Sequence, residues 1–268
     1  MRRDGFVLRE FRGIPYYSCC AFESLPRLGH GFSTRHGGNL GNSSLDPGEK
    51  ASKYRERFLS ALHLEDAQLI TLHQVHSDRV YIIEDIAAQW NQSEGDALAT
   101  RVEGIALAVQ VADCLPILIA DPANNAVAAV HSGWRGTLSE VLLQTIRKMR
   151  NAFDSDPNEL LIAIGPGIRS CCFEVGPEVA ELFSRKYPNH RLAKPIEARP
   201  GKYLLDLCGS LEIQLNLAGV RPENCFDLGA CTCCNRREFF SYRAEGPNSG
   251  RMMAVIGFRN KGGSGIKG

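Results

Sequence analysis

Cys114 and His131 sit at the ends of two apolar runs in VQVADCLPILIADPANNAVAAVHSGWRGT (109–137), and His76 follows a third run, LITLHQV (69–75). One thiol and two imidazoles admit several chemistries. As ligands they match catalytic zinc, which takes three nitrogen or sulfur donors and leaves a fourth position open for water or substrate. As nucleophile and base, Cys114 with His131 or His76 makes a cysteine hydrolase. A blander reading makes Cys114 a small buried hydrophobe and leaves the histidines to ordinary hydrogen bonds. A further reading closes the site with His73, giving a structural zinc in a non-enzymatic binding protein. On a strand His73 and His76 face opposite sides, and only a turn at HQVH brings them together. Seven histidines and ten cysteines offer many triples, so spacing leaves these readings open.

Ligands need stiff carriers, and strands fix a donor better than loops do. Behind a Gly/Asn/Ser-rich loop (35–50), the segment EKASKYRERFLSALHL (49–64) reads as an amphipathic helix led in by Pro47. Strand-like runs follow: LITLHQV, RVYIIED, GIALAVQVA, LPILIAD and NAVAAVH. Then come a helix over 138–153, a buried strand ELLIAIG (159–165), a helix opening at Pro177, a helix over 204–220 closed near Gly219, and a last strand over 251–258. Strands arrive in runs rather than in strict βα alternation, which predicts an α+β fold with mixed sheets. No internal repeat breaks the chain, so a single domain over residues 1–268 is expected, with 259–268 a frayed tail.

Composition narrows the partners. The 31 basic and 30 acidic residues nearly cancel, which argues against a nucleic-acid duplex or an anionic membrane. No apolar run reaches membrane-spanning length, and Asp4, Arg9 and Glu10 interrupt the N-terminus before a secretory h-region forms. Ten cysteines in such a chain predict reduced thiols in the cytoplasm and no structural disulfides. Cys231 and Cys234 form a C-x-x-C, and Cys171 and Cys172 are adjacent. The second C-x-x-C of a zinc ribbon and a thioredoxin-like βαβ pattern are both missing, so no second metal site is expected there.

The blocks HQVHSDRV, GDALAT, ADCLPILIAD, AAVHSGWRGT, IGPGIRSCCFEVGPEV, ACTCC and FFSYRAEGPNSGRMMAVIGF resemble the YfiH-like family. That family was historically labelled laccase-domain or multicopper polyphenol oxidase, and was later characterised as purine nucleoside enzymes. The resemblance runs from about Ser33 to Phe258. It implies metal ligation by His76, Cys114 and His131, and it leaves out His73, where relatives often carry glutamate. It implies zinc, with copper as the alternative, and a fold resembling some cysteine-dependent deamidase toxins. The activities implied are phosphorolysis of adenosine, inosine, guanosine and methylthioadenosine, and hydrolytic deamination of adenosine. Purine nucleosides and phosphate are then the partners.

For deamination, an open zinc position lowers the pKa of water towards neutrality, which suits attack at C6 of adenine. Asp113 is the candidate for moving protons, or alternatively a support for its neighbour Cys114. For phosphorolysis, arginine and backbone amides hold the anion, and Arg35, Arg135 and Arg243 are candidates together with the Gly37–Gly38 amides. Glu174, beyond the IGPGIRSCC turn, is expected to line the pocket. Oxidation of phenols by several coppers calls for many imidazoles, and seven histidines without a His-x-His pair fit it poorly. Relatives carry a longer segment after the T-R-x-G-G block, and an asparagine where Tyr54 precedes Arg55.

Overall fold

The structure, a computed structural model, describes residues 1–41, 48–85, 90 and 92–259. The lead-in at Pro47, the shortened stretch at 42–47 and the tail from 260 onward lie outside the described residues.

Among the described residues, two six-stranded sheets and a three-stranded ribbon form the framework. The first sheet orders its strands as Phe6–Phe11, Ile14–Cys19, Leu28–Ser33, Met252–Phe258, Ile105–Val111 and Gln68–Ile70. The second runs Cys225–Asp227, Leu161–Ile164, Leu115–Asp121, Ala126–Ser132, Ala97–Thr100 and Val80–Ile82. Most neighbours are antiparallel. Gln68–Ile70 with Ile105–Val111, Val80–Ile82 with Ala97–Thr100, and Leu161–Ile164 with Cys225–Asp227 are parallel, so both sheets are mixed as the α+β expectation requires.

The apolar runs are long because both faces of the central strands are covered. Along Leu115–Asp121, Leu118 and Ala120 pack with Leu107 and Val109 of the first sheet. Ile117 and Ile119 turn the other way, against Ile146 of helix Val141–Phe153 and Leu211 of helix Leu207–Ala218. A strand covered on both sides needs no polar alternation. On the outer face of the first sheet, Ala106, Ala108, Met253 and Val255 meet Phe58 and Leu59 of helix Gly48–Ala61. The layers therefore run helix, sheet, sheet, helix.

Several elements depart from the sequence expectation. The run 69–75 is strand only within Gln68–Ile70, after which the chain leaves the first sheet. The helix predicted over 138–153 begins only at Val141 and runs to Phe153, and a separate short helix, Trp134–Leu138, precedes it across Glu140 at φ 64. Buried Gln214 donates to the Thr137 carbonyl at 2.7 Å, satisfying the end of the shorter helix. Leu204 and Leu205 belong to the ribbon strand Tyr203–Leu205, and Asp206 caps the following helix by accepting from the Gly209 N–H at 3.0 Å. That helix closes at Gly219, φ 83, as expected. The sequence reading passed over Leu28–Ser33, whose glycines mask its strand character. A side chain at Gly29 would meet the Leu62 carbonyl at 2.6 Å, so close approach of the helix end demands the glycine.

Candidate metal centre

Three corners of the sandwich meet at one end. Only Ala112, Asp113 and Cys114 separate Ile105–Val111 in the first sheet from Leu115–Asp121 in the second. Asp113 turns the chain at φ 89 and places Cys114 at the corner. A second crossing carries the chain from Gln68–Ile70 to Val80–Ile82, with His76 in a left-handed turn at φ 60. The Gln74 side chain imitates a strand partner here: its amide donates to the Gln110 carbonyl and accepts from the Gln110 N–H, both at 2.8 Å. His131 is the penultimate residue of Ala126–Ser132. It shares the parity of Val127 and Ala129, which pack between the sheets, so its ring points into the mouth of the sandwich.

The donor atoms of His76, Cys114 and His131 lie within 4.8 Å of one another. Cys114 Sγ is 3.8 Å from His76 Nε2, and the two imidazoles meet edge to face with centroids 4.9 Å apart. The organiser of this cluster, absent from the residues singled out by sequence, is Asp96. Its carboxylate is fully buried; Oδ1 accepts from His131 Nδ1 at 2.8 Å and from the His76 N–H at 3.0 Å. Oδ2 accepts the Ser77 hydroxyl at 2.7 Å. One carboxylate thus fixes the His131 tautomer, leaving Nε2 for the cleft, and also holds the turn that carries His76. Burial opposes its ionisation, yet His131 and Ser77 hold it down at about 2.

Burial likewise pushes the Cys114 thiol up, but His131 and then His76 bring it well below its ordinary value. His131 is raised despite burial, because Cys114 and Asp96 favour its charged form. The centre is therefore built for a thiolate next to positive charge. Gly133 keeps it open: a side chain there would lie 2.8 Å from His76 Cδ2 and 2.9 Å from Cys114 Sγ. Two imidazoles, one thiolate and a cleared space fit a borderline-soft divalent ion. His73 is not part of the cluster.

Residues 27–259 match the family model described as multi-copper polyphenol oxidoreductase laccase. This chain belongs to that family. It is 36% identical over 244 residues to a protein of Deinococcus radiodurans named purine nucleoside phosphorylase, covering 87% of this chain and 90% of that one. It is 36% identical over 195 residues to adenosine deaminase RL5 of an unknown prokaryotic organism, covering 70% of this chain and 74% of the relative. The crystal structure of YlmD from Geobacillus stearothermophilus superimposes with a TM-score of 0.84 at 29% identity, covering 96% of this chain and all of YlmD.

In this member of the family, the three donors open onto a cleft of about 680 Å³. Arg135 and Arg243 line it, as does Arg251, which the sequence reading did not single out. Trp134, Phe173 and Tyr242 supply aromatic surface. Arg243 donates to the Glu174 carbonyl at 2.9 Å and lies over the Phe173 ring, while Arg135 stacks on Trp134.

Two residues expected at the pocket are elsewhere. Arg35 pairs with Glu245 at 2.8 Å and lies over Phe240, outside the cleft lining. The Glu174 side chain pairs with Arg199 on the protein surface, and its backbone alone touches Arg243. The Gly37 and Gly38 amides are spent on the Thr34 and Arg35 carbonyls of their own turn. Asp113 borders the cleft, but its carboxylate accepts from Thr232 Oγ1 at 2.6 Å, Ser241 Oγ at 2.7 Å and the Arg243 N–H at 2.6 Å.

Proposed function

We propose that the protein is a zinc-dependent purine nucleoside enzyme of the cytoplasm. It phosphorolyses adenosine, inosine, guanosine and methylthioadenosine, and hydrolytically deaminates adenosine. The observation that carries this reading is the three-donor cluster opening into a cleft, in a chain whose relatives are named purine nucleoside phosphorylase and adenosine deaminase. His76, Cys114 and His131 would hold a zinc ion, which would supply Lewis acidity beside the cleft. Copper is the less favoured ion, since oxidation of phenols by several coppers calls for more imidazoles than this cluster offers.

The chain's own groups do the rest. Asp96 fixes the His131 ring and the His76 turn, so the donors do not reorganise as charge develops. Arg243, Arg135 and Arg251 offer positive charge for phosphate at the cleft wall. Trp134, Phe173 and Tyr242 give a purine flat apolar faces. Asp113 acts as a positioning residue: with three hydrogen bonds accepted, it anchors Ser241 and the Arg243 backbone, and so aims the guanidinium. Moving protons would require it to give up that network.

A second reading draws on one specific observation, the lowered Cys114 thiol beside a raised His131, which is the ionisation state of a cysteine nucleophile and its base. Zinc is preferred because His76 Nε2 stands 3.8 Å from the Cys114 sulfur as a third converging donor, which a cysteine nucleophile with a His131 base oriented by Asp96 does not need. Incubation of the protein with adenosine, with and without phosphate, tests the assignment. Adenine appearing only with phosphate marks phosphorolysis and inosine marks deamination; unchanged adenosine in both arms sinks the proposal.

A further inference from the structure

Cysteines unused by the cleft gather on the far side of its wall. The Sγ atoms of Cys171, Cys172, Cys231 and Cys234 lie within 4.8 Å of one another, and all four thiols are free. Cys234 is 3.6 Å from Cys171 and 3.3 Å from Cys172, sulfur to sulfur. Around a tetrahedral zinc with Zn–S bonds of about 2.3 Å, each pair of sulfurs stands about 3.8 Å apart. The two spacings fall just short of that edge, and every other pair lies within 4.8 Å. Spacing along the chain concealed the group, because one pair is C-x-x-C and the other is two adjacent cysteines. The fold joins them: Gly167 and Cys231 form a bridge, with Gly167 N–H to the Ala230 carbonyl at 3.2 Å and Thr232 N–H to the Gly167 carbonyl at 3.1 Å.

We propose that Cys171, Cys172, Cys231 and Cys234 form a second metal site, a closed four-thiolate site for zinc that fastens the 165–175 loop to the 229–234 loop. Four thiolates in so small a volume repel one another unless a cation sits among them. Cys171 and Cys234 are exposed, so an ion can enter from solvent.

Zinc here would act on the cleft without touching substrate. Phe173 follows Cys172 directly, and the Cys172 carbonyl accepts from Arg243 at 3.4 Å. Thr232, inside the C-x-x-C, holds Asp113. The site therefore braces the wall that presents Phe173 and Arg243.

The test separates the two centres by removing the first. In His76→Ala/Cys114→Ala, supplied with zinc under reducing conditions, the chain should retain one zinc ion surrounded by four sulfurs at about 2.3 Å in X-ray absorption. Cobalt loaded into the same variant should show tetrahedral d–d bands and thiolate charge transfer. Adding Cys171→Ser/Cys234→Ser should abolish that metal while far-ultraviolet circular dichroism stays native. For the unmutated chain, native mass spectrometry should find two zinc ions, which does not depend on any variant folding. No zinc in a folded first variant, nitrogen or oxygen neighbours around the zinc it holds, or a disulfide among the four cysteines in place of metal overturns the proposal, whereas a single zinc in the unmutated chain bound by four sulfurs would sink only the cleft-zinc reading.

Discussion

A thiolate that holds a metal and a thiolate that attacks a substrate impose different demands on the same sulfur, and Cys114 can be made to declare which it meets. Serine keeps the size but stays protonated near neutral pH and binds zinc poorly, so Cys114→Ser should lose most of the cleft metal and both nucleoside activities together. If the serine variant keeps stoichiometric cleft metal, or the native chain shows a covalent adduct on Cys114 during turnover, the ligand assignment is wrong. Asp96→Asn probes the support behind the donors. An amide keeps one oxygen for the His131 ring and the His76 N–H, but its NH2 cannot accept from Ser77 and the charge facing His131 is gone, so metal affinity should fall about 10- to 100-fold. Titration with a competing chelator reads this directly, and unchanged affinity would leave Asp96 a purely structural residue. The arginines separate in the same way. Arg243→Ala should raise the KM for phosphate more than that for nucleoside, with lysine rescuing poorly because it lacks the planar fork. Arg35→Ala, whose partner is Glu245, should leave both KM values near native. The donor triad was legible because residue type and block order carry it. Asp96 was not: it sits within the quoted GDALAT block, but nothing in a one-dimensional pattern shows a carboxylate reaching residues 20 and 35 positions away.

Elements matter because the donors stand where elements end. Gly133 joins Ala126–Ser132 to the helix Trp134–Leu138, and its missing side chain is the space beside His76 and Cys114. Its backbone is extended at φ −78, so alanine is tolerated conformationally and the nearest atoms it would meet belong to the ligands His76 and Cys114. Gly133→Ala should therefore keep the fold and melt within a few degrees of native, while cleft metal and activity fall together. Melting far below native would mean the contact is structural first. Legibility at this scale followed periodicity. The two long helices covering the second sheet and the doubly buried strands announced themselves through apolar spacing, as did the Gly219 stop. Segments whose conformation is imposed from outside did not: the His76 turn is held by Asp96 and by the Gln74 side chain, and the break at Glu140 is paired with a carbonyl that Gln214 satisfies from another helix. Short ribbon strands such as Glu174–Val175 are too brief for any period to show.

Across the whole molecule, the sandwich buries histidine in two opposite senses, and pH distinguishes them. Cys114 and Asp96 raise the pKa of His131, a role that a metal on Nε2 would take over, whereas burial lowers that of His30, on Leu28–Ser33 in the first sheet. His30 is 5% exposed, its Nε2 accepts from the Cys19 N–H at 2.9 Å, it lies 3.1 Å from the Ser18 hydroxyl, and its ring meets Phe22. Burial lowers its pKa to about 4, against the raising influence of Glu23. An unfolded chain takes up that proton near pH 6.5, so between roughly 6.5 and 4 the unfolded state binds more protons than the native one. The stabilisation from a neutral His30 is thus fully present above about pH 6.5 and is lost as pH falls towards 4, to an extent of about 3 kcal/mol at most. Glutamine can still accept the Cys19 N–H and does not titrate, so His30→Gln should lower stability at neutral pH yet flatten its dependence on acid. Urea midpoints at pH 7.5 and pH 5 for both proteins measure the difference, provided the slopes agree. Parallel losses in native and variant would show that carboxylates elsewhere, and not this buried imidazole, set the acid limit of the fold.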